Sequence, residues 1–177
     1  KGEIDVEKQK KILETIIVGH YGALRILGCA VLNEEYLSRL IRNSPQLLFL
    51  ELRNCIQLDQ NIIKVLAQAT HLIELRLTSL TLKGEINVPH PTLRRLRVNN
   101  CRKIERLFVS HTLKSLYVKD CENLVEISPR QHKIIPLLGS IMRKRPLKNF
   151  IIEKLYLEGC PKLETWGIIF EDWLKQS

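Results

Sequence analysis

Five cysteines, at positions 29, 55, 101, 121 and 160, are the residues of this 177-residue chain best suited to chemistry. Such a set could form disulfides, ligate a soft metal or supply a nucleophile. An odd number leaves one thiol over in any disulfide framework. No Cys-x-x-Cys pair occurs, and the closest two, Cys101 and Cys121, stand too far apart for a zinc knuckle. Five histidines accompany them: His20, His71, His90, His111 and His132. The last four recur at steps of 19, 21 and 21 residues, with no carboxylate at a fixed offset. They read as solvated residues in turns ahead of strands rather than as a metal ladder. Gly-x-Ser-x-Gly, P-loop and Gly-x-Gly-x-x-Gly signatures are absent. The expectation is a chain with no catalytic residues, no metal and no cofactor.

The cysteines share their surroundings. Leu47-x-x-Leu50-x-Leu52-x-x-Cys55 is the clearest copy of a frame that returns as Leu93-x-x-Leu96-x-Val98-x-x-Cys101. It returns again as Leu113-x-x-Leu116-x-Val118-x-x-Cys121 and Ile152-x-x-Leu155-x-Leu157-x-x-Cys160. Tyr21-x-x-Leu24-x-Ile26-x-x-Cys29 is a weaker first copy, and Leu72-x-x-Leu75-x-Leu77-x-x-Leu80 carries Leu in the ninth slot. Every cysteine therefore occupies one structural slot, facing inward, where thiols are inert. Leu80 has no donor, so its turn is expected to differ locally.

This pattern resembles the leucine-rich repeat family in its cysteine-containing variant, over roughly residues 20–165. The resemblance implies an α/β fold: an open horseshoe solenoid with parallel strands on the concave face and helices and 3₁₀ turns on the convex face. Each copy buries its leucines by stacking on its neighbours. The longer copies leave room for helices. Asn33 can cap Glu34–Ile41, with Tyr36, Leu37, Leu40 and Ile41 at helical spacing, and Asp59 can cap a helix carrying Ile62, Ile63, Leu66 and Ala67. Those copies are similar to repeats that follow F-box motifs in ubiquitin-ligase substrate receptors, although no F-box is present. The short copies look more like repeats of plant intracellular immune receptors or of bacterial effectors. Arg102–Leu107 and Glu122–Ile127 are expected as 3₁₀ or extended turns.

The chain reads as a single domain over 1–177. Residues 1–19 form a helical cap, with Ile4, Ile12, Leu13, Ile16 and Ile17 among lysines and glutamates. Repeats fill 20–125. Residues 126–151 are an inserted basic loop, with a helix near Ile134–Arg143, or a degenerate repeat at Ile134-x-x-Leu137. Residues 152–177 hold the last repeat and an aromatic cap containing Trp166, Ile168, Ile169, Phe170, Trp173 and Leu174.

Composition narrows the class. Apolar residues make up 45% and charged residues 27%, which excludes a disordered chain. The most apolar stretch, Ile16–Leu32, is interrupted by His20, Tyr21 and Arg25, so no membrane span is expected. With 28 Lys plus Arg against 19 Asp plus Glu, the formal net charge is +9. The frame gives that charge an address. Third, fifth and seventh slots should face the concave surface, where Arg25, Arg53, Arg76, Arg95, Arg97, Lys119 and Lys154 meet only Glu51, Glu74 and Glu158. Phe49, Tyr117 and Tyr156 add aromatic anchors; Arg and Tyr are the types most often central to interfaces. The candidate binding residues are therefore Arg25, Phe49, Glu51, Arg53, Arg76, Arg95, Arg97, Tyr117, Lys119, Lys154 and Tyr156. A second basic cluster, Arg143, Lys144 and Arg145, resembles a nuclear-localisation or phosphate-binding string, the competing reading being a solvated loop.

The expected function is non-enzymatic recognition of a protein partner with an acidic surface. The resemblance implies a ubiquitin-ligase-type substrate receptor or a bacterial effector. The alternatives are a ligand-sensing fragment of an intracellular immune receptor, and binding of nucleic acid or a phosphorylated ligand by the basic face. Free thiols and the lack of an Asn-x-Ser/Thr acceptor point to a reducing cytosol, a host cytosol if the chain is an effector, with the nucleus as a further compartment.

Overall fold

In a computed structural model of the chain, residues 5–88, 90–129 and 152–164 are described. The elements follow in the order α1 (Val6–Ile17), β1 (Ala23–Leu27), α2 (Glu34–Asn43), β2 (Phe49–Arg53), α3 (Ile62–Leu66), β3 (Glu74–Thr78), β4 (Lys83–Val88), β5 (Arg95–Asn99), β6 (Lys103–Val109), β7 (Ser115–Lys119), β8 (Glu126–Pro129) and β9 (Lys154–Glu158). Six strands form one parallel sheet in the order β1-β2-β3-β5-β7-β9. Each strand is the middle of one frame copy. The register keeps the slots aligned: Arg25 lies beside Glu51, Glu51 beside Arg76, Arg76 beside Arg97, Arg97 beside Tyr117, and Tyr117 beside Tyr156. The result is a solenoid of stacked parallel strands whose fourth- and sixth-slot side chains turn into a continuous core, except Leu155 of the last copy, which is exposed.

That core runs from Leu13 and Ile17 of α1 through Leu50, Leu52, Leu75, Leu77, Leu96, Val98, Leu116 and Val118. On its other side the covering layer changes along the chain. The longer early copies close with helices. Asn33 Oδ1 accepts the Tyr36 N–H and caps α2, whose Leu37, Leu40 and Ile41 are buried. Near α3, Asp59 Oδ1 accepts the Asn61 N–H at 2.8 Å one turn before the helix begins. Ile62, Val65 and Leu66 face the core there, while Ala67 points outward.

Of the 3₁₀ or extended turns expected of the later copies, the extended form occurs, and it is paired into a sheet. Lys103–Val109 and Glu126–Pro129 are strands, and with β4 they form a second parallel sheet in the order β4-β6-β8. A copy of about twenty residues is too short to fit a helix, yet Ile104, Leu107, Val109 and Ile127 still need burial. Pairing of successive copies buries them and satisfies their backbone groups together. Gly84, at φ 65°, sits at the register shift between β4 and β6. β9 pairs directly with β7, so no strand lies between them in the first sheet. The helix expected near Ile134–Arg143, the degenerate-repeat strand and the C-terminal aromatic cluster lie outside the described residues, as does Ile4 of the N-terminal cap.

The turn after each strand has one backbone form in all six copies. The eighth slot is Gly28, Asn54, Ser79, Asn100, Asp120 and Gly159, and each has φ between 51° and 65°. Glycine, asparagine and aspartate tolerate this left-handed region best. In the first five copies that N–H donates to the seventh-slot carbonyl of the next copy, as from Asn54 to Thr78 at 3.0 Å and from Ser79 to Asn99 at 2.9 Å. The Ser79–Leu80 turn thus keeps the backbone of the others, against the expectation that Leu80 would alter it. The eighth residue sets the turn; the ninth only fills the space beneath it. The Asn54 side chain is exposed and makes no hydrogen bond to the described residues, so it isolates the backbone effect. Asn54→Gly is expected to leave stability within about 0.5 kcal/mol, whereas Asn54→Val loses about 2 kcal/mol, because a β-branched residue is forced into the left-handed region. Equal losses for the two variants in urea unfolding would refute this account.

Candidate recognition face

Odd-numbered slots of the six-stranded sheet project to one side, and the ring contacts fix which side that is. Tyr117 and Tyr156 stack with centroids 4.4 Å apart and rings 3° from parallel. The Arg97 guanidinium lies over Tyr117 at 5.4 Å. At the other end of the sheet Arg25 and Arg76 lie over Phe49 at 5.4 and 5.0 Å. Around Phe49 is a shallow depression lined by Ala23, Leu24, Arg25, Glu74 and Arg76. All eleven residues expected to form the binding face occupy these columns. Arg143, Lys144 and Arg145 fall outside the described residues.

The acids arrange the arginines. Glu74 is buried, 8% exposed, and lies 2.6 Å from Arg76 Nη2 and 3.0 Å from Arg95 Nη1. Glu51 contacts Arg25 at 3.3 Å and Arg76 at 4.0 Å. Lys119 reaches Glu158 at 2.9 Å, and the Tyr156 hydroxyl donates to the other oxygen of the same carboxylate. Glu74 and Glu158 thus position the face, although sequence reasoning counted them only as charge. The available signal was their place beside arginine or lysine in adjacent strands. Arg53, Arg97 and Lys154 have no acidic partner among the described residues, so the excess positive charge is concentrated on them.

Burial pushes the Glu74 carboxyl up, but hydrogen bonds from Arg76 and Arg95 and their charges outweigh it and hold the group below its ordinary value. A lowered folded-state pKa stabilises the fold above the ordinary carboxylate range and loses that stabilisation as pH falls through the folded value. Stability should therefore decline on acidification below about pH 4.5. Glu74→Gln should flatten that part of the profile, measured as urea midpoint against pH; an unaltered slope would remove Glu74 as its source.

The thiols are graded rather than uniform. Cys55, Cys101 and Cys121 are fully buried, whereas Cys29 and Cys160, in the first and last copies, are half-buried. Each buried thiol donates to carbonyls of its own and the preceding copy, as Cys55 does to Arg53 at 3.5 Å and Ile26 at 3.7 Å. Burial pushes Cys121 up to about 12, leaving almost no thiolate at neutral pH. A thiol-specific reagent should modify Cys29 and Cys160 first, and the other three at least 100-fold more slowly. Uniform labelling of all five would discredit the slot. Among the described residues no group of three or more metal-ligating side chains converges.

Among the histidines His90 departs from the solvated position expected of it, whereas His20 and His71 are exposed as expected. His90 is buried, 3% exposed. Its Nε2 donates to the Ala69 carbonyl at 2.9 Å, and Nδ1 accepts the Thr92 N–H at 3.4 Å. Burial holds its pKa below the usual imidazole value. His20 and His71 contact carbonyls of the copy that follows or precedes, those of Asn43 and Pro45. Thr92 and Thr112 hydroxyls join copies in the same way, donating to Leu72 and Leu93 carbonyls at 2.9 and 3.0 Å. These turn residues hold the spacing of the strands that carry the face. His111 is exposed, and His132 lies outside the described residues.

No helix among the described residues is long and apolar enough to cross a membrane. No protein-family model and no curated protein matches the chain.

Proposed function

We propose that the chain is a leucine-rich repeat recognition module that performs no catalysis and binds a protein partner with an acidic surface through the six-stranded face. The single observation that carries this reading is the layered Arg97–Tyr117–Tyr156 stack, in register across three strands and open on one side. Aromatic and guanidinium groups held by neighbours lose little freedom on binding, which is what makes them effective anchors. The Leu-x-x-Leu-x-Leu-x-x-Cys frame and the parallel solenoid support the family assignment. A ubiquitin-ligase-type receptor, a bacterial effector acting in a host cytosol, and a sensing fragment of an immune receptor all use such a face for a protein ligand.

The test is capture of proteins from cytosolic extract by the full chain, compared with a variant carrying Arg76→Glu, Arg95→Glu and Arg97→Glu. The reading requires a protein that the wild type retains and the variant does not; unchanged retention overturns it. A nucleic-acid ligand would instead show affinity falling steeply with salt, where an interface anchored by aromatics responds less.

A further inference from the structure

We infer that the face contains a discrete oxyanion notch over Ser115 that takes a carboxylate or phosphate group from an acidic peptide. The inference rests on the recognition reading above and gives it a contact point. Ser115 is the small third-slot residue of β7. The sheet register puts Arg95 directly beside it on one side and Lys154 on the other. Neighbouring strands lie about 4.8 Å apart, so the two cationic residues flank Ser115 across roughly 10 Å. Two slots along, Arg97 is held over the Tyr117 ring and, with Tyr117 and Tyr156, bounds one end.

Charge and donor geometry favour an anion here rather than elsewhere on the face. Arg95 spends one guanidinium nitrogen on Glu74, and its side chain is 58% exposed, so further donors of the fork remain open to solvent. Arg97 and Lys154 have no acidic partner among the described residues. By contrast, Arg25 and Arg76 are engaged with Glu51 and Glu74, and Lys119 with Glu158. Ser115 has no long side chain to fill the space between its neighbours, and its hydroxyl supplies a neutral donor at the floor. An oxyanion seated there meets charge-assisted hydrogen bonds from Arg95 and Lys154 on its two flanks, with Arg97 and the tyrosine stack along one end.

The test titrates the full chain with two capped tripeptides, Ala-Glu-Ala and Ala-phosphoserine-Ala, and follows backbone amide shifts by NMR. Saturable shifts centred on Ser115, Tyr117 and Lys154 are expected, and the peptide that binds tighter identifies the oxyanion. Ser115→Glu places a carboxylate of the chain itself in the notch and should weaken binding at least tenfold, with the far-UV circular dichroism unchanged. Gln57→Glu, the same charge change at an exposed position beyond β2, should leave affinity within about twofold. Shifts that never saturate, that spread equally over other surface cations, or that survive Ser115→Glu would overturn the notch. The two readings fail separately. If a captured partner is lost with the triple arginine reversal but kept by Ser115→Glu, the notch is wrong and recognition stands. If the tripeptides bind as described but no protein is retained, recognition is wrong and the notch stands.

Discussion

Leu77→Ala is expected to destabilise the chain by about 3 kcal/mol, and Leu24→Ala by only about 1 kcal/mol. Both residues are leucines in core-facing slots of the same sheet, but Leu77 is fully buried and Leu24 only half-buried. Leu77 sits on β3, between Leu52 of β2 and Val98 of β5 in register. Both flanking strands are held by ladder hydrogen bonds and by the turn N–H groups that reach from one copy to the next. The walls of the new cavity therefore cannot collapse, and truncation costs the lost transfer energy plus the cavity term. Leu24 lies on the end strand, where one neighbour is missing and relaxation is free. In a stacked array each copy contacts only its neighbours, so an interior loss weakens two interfaces and a terminal loss only one. Urea midpoints read by circular dichroism check the ratio; equal losses would mean that the array does not transmit packing in this way.

Much of this arrangement was legible because the frame repeats residue types at fixed offsets. The fourth, sixth and ninth slots named Leu50, Leu52 and Cys55 as core, and the same count assigned Arg97, Tyr117 and Tyr156 to one exposed column. The β4-β6-β8 sheet was not legible. Ile104 and Leu107 are three apart, a spacing that a turn and a bulged strand share, and only pairing with adjacent copies decides between them. The Leu80 turn departs from its expectation because the eighth residue, not the ninth, sets the backbone, and Gly28, Asn54, Ser79, Asn100, Asp120 and Gly159 all hold a left-handed position there. His90 was misplaced for a related reason: its burial is set by the Ala69 carbonyl, which belongs to the preceding copy and is invisible in local pattern. The ion pairs of the face were beyond the sequence because long side chains can reach several columns. Slot position puts Glu74 beside Arg95 in register and two residues from Arg76 on its own strand, but does not show its carboxylate bonded to both.

Loss of the Tyr117 ring is expected to weaken partner binding about 30-fold, which corresponds to about 2 kcal/mol. Tyr117 is the middle layer of the stack, with Arg97 on one side and Tyr156 on the other. Tyr117→Ala therefore removes one contact and also frees two others to move, so they must be ordered again on binding. Arg97→Ala should cost about tenfold by itself, since its charge has no acidic partner among the described residues to leave stranded. The double variant should lose less than the sum of the two, by about 0.5–1 kcal/mol, because a guanidinium over a ring contributes through that ring. Arg53→Ala, at an exposed column edge, should change the association rate more than the dissociation rate, as remote charge does. Lys103→Ala on β6 reports on the opposite sheet and should change affinity less than twofold. Calorimetry or surface plasmon resonance with the captured partner separates these terms. Strict additivity of the Arg97 and Tyr117 losses would show that the stack does not act as a unit, and a Lys103 effect as large as that of Tyr117 would place the partner on the other face of the solenoid.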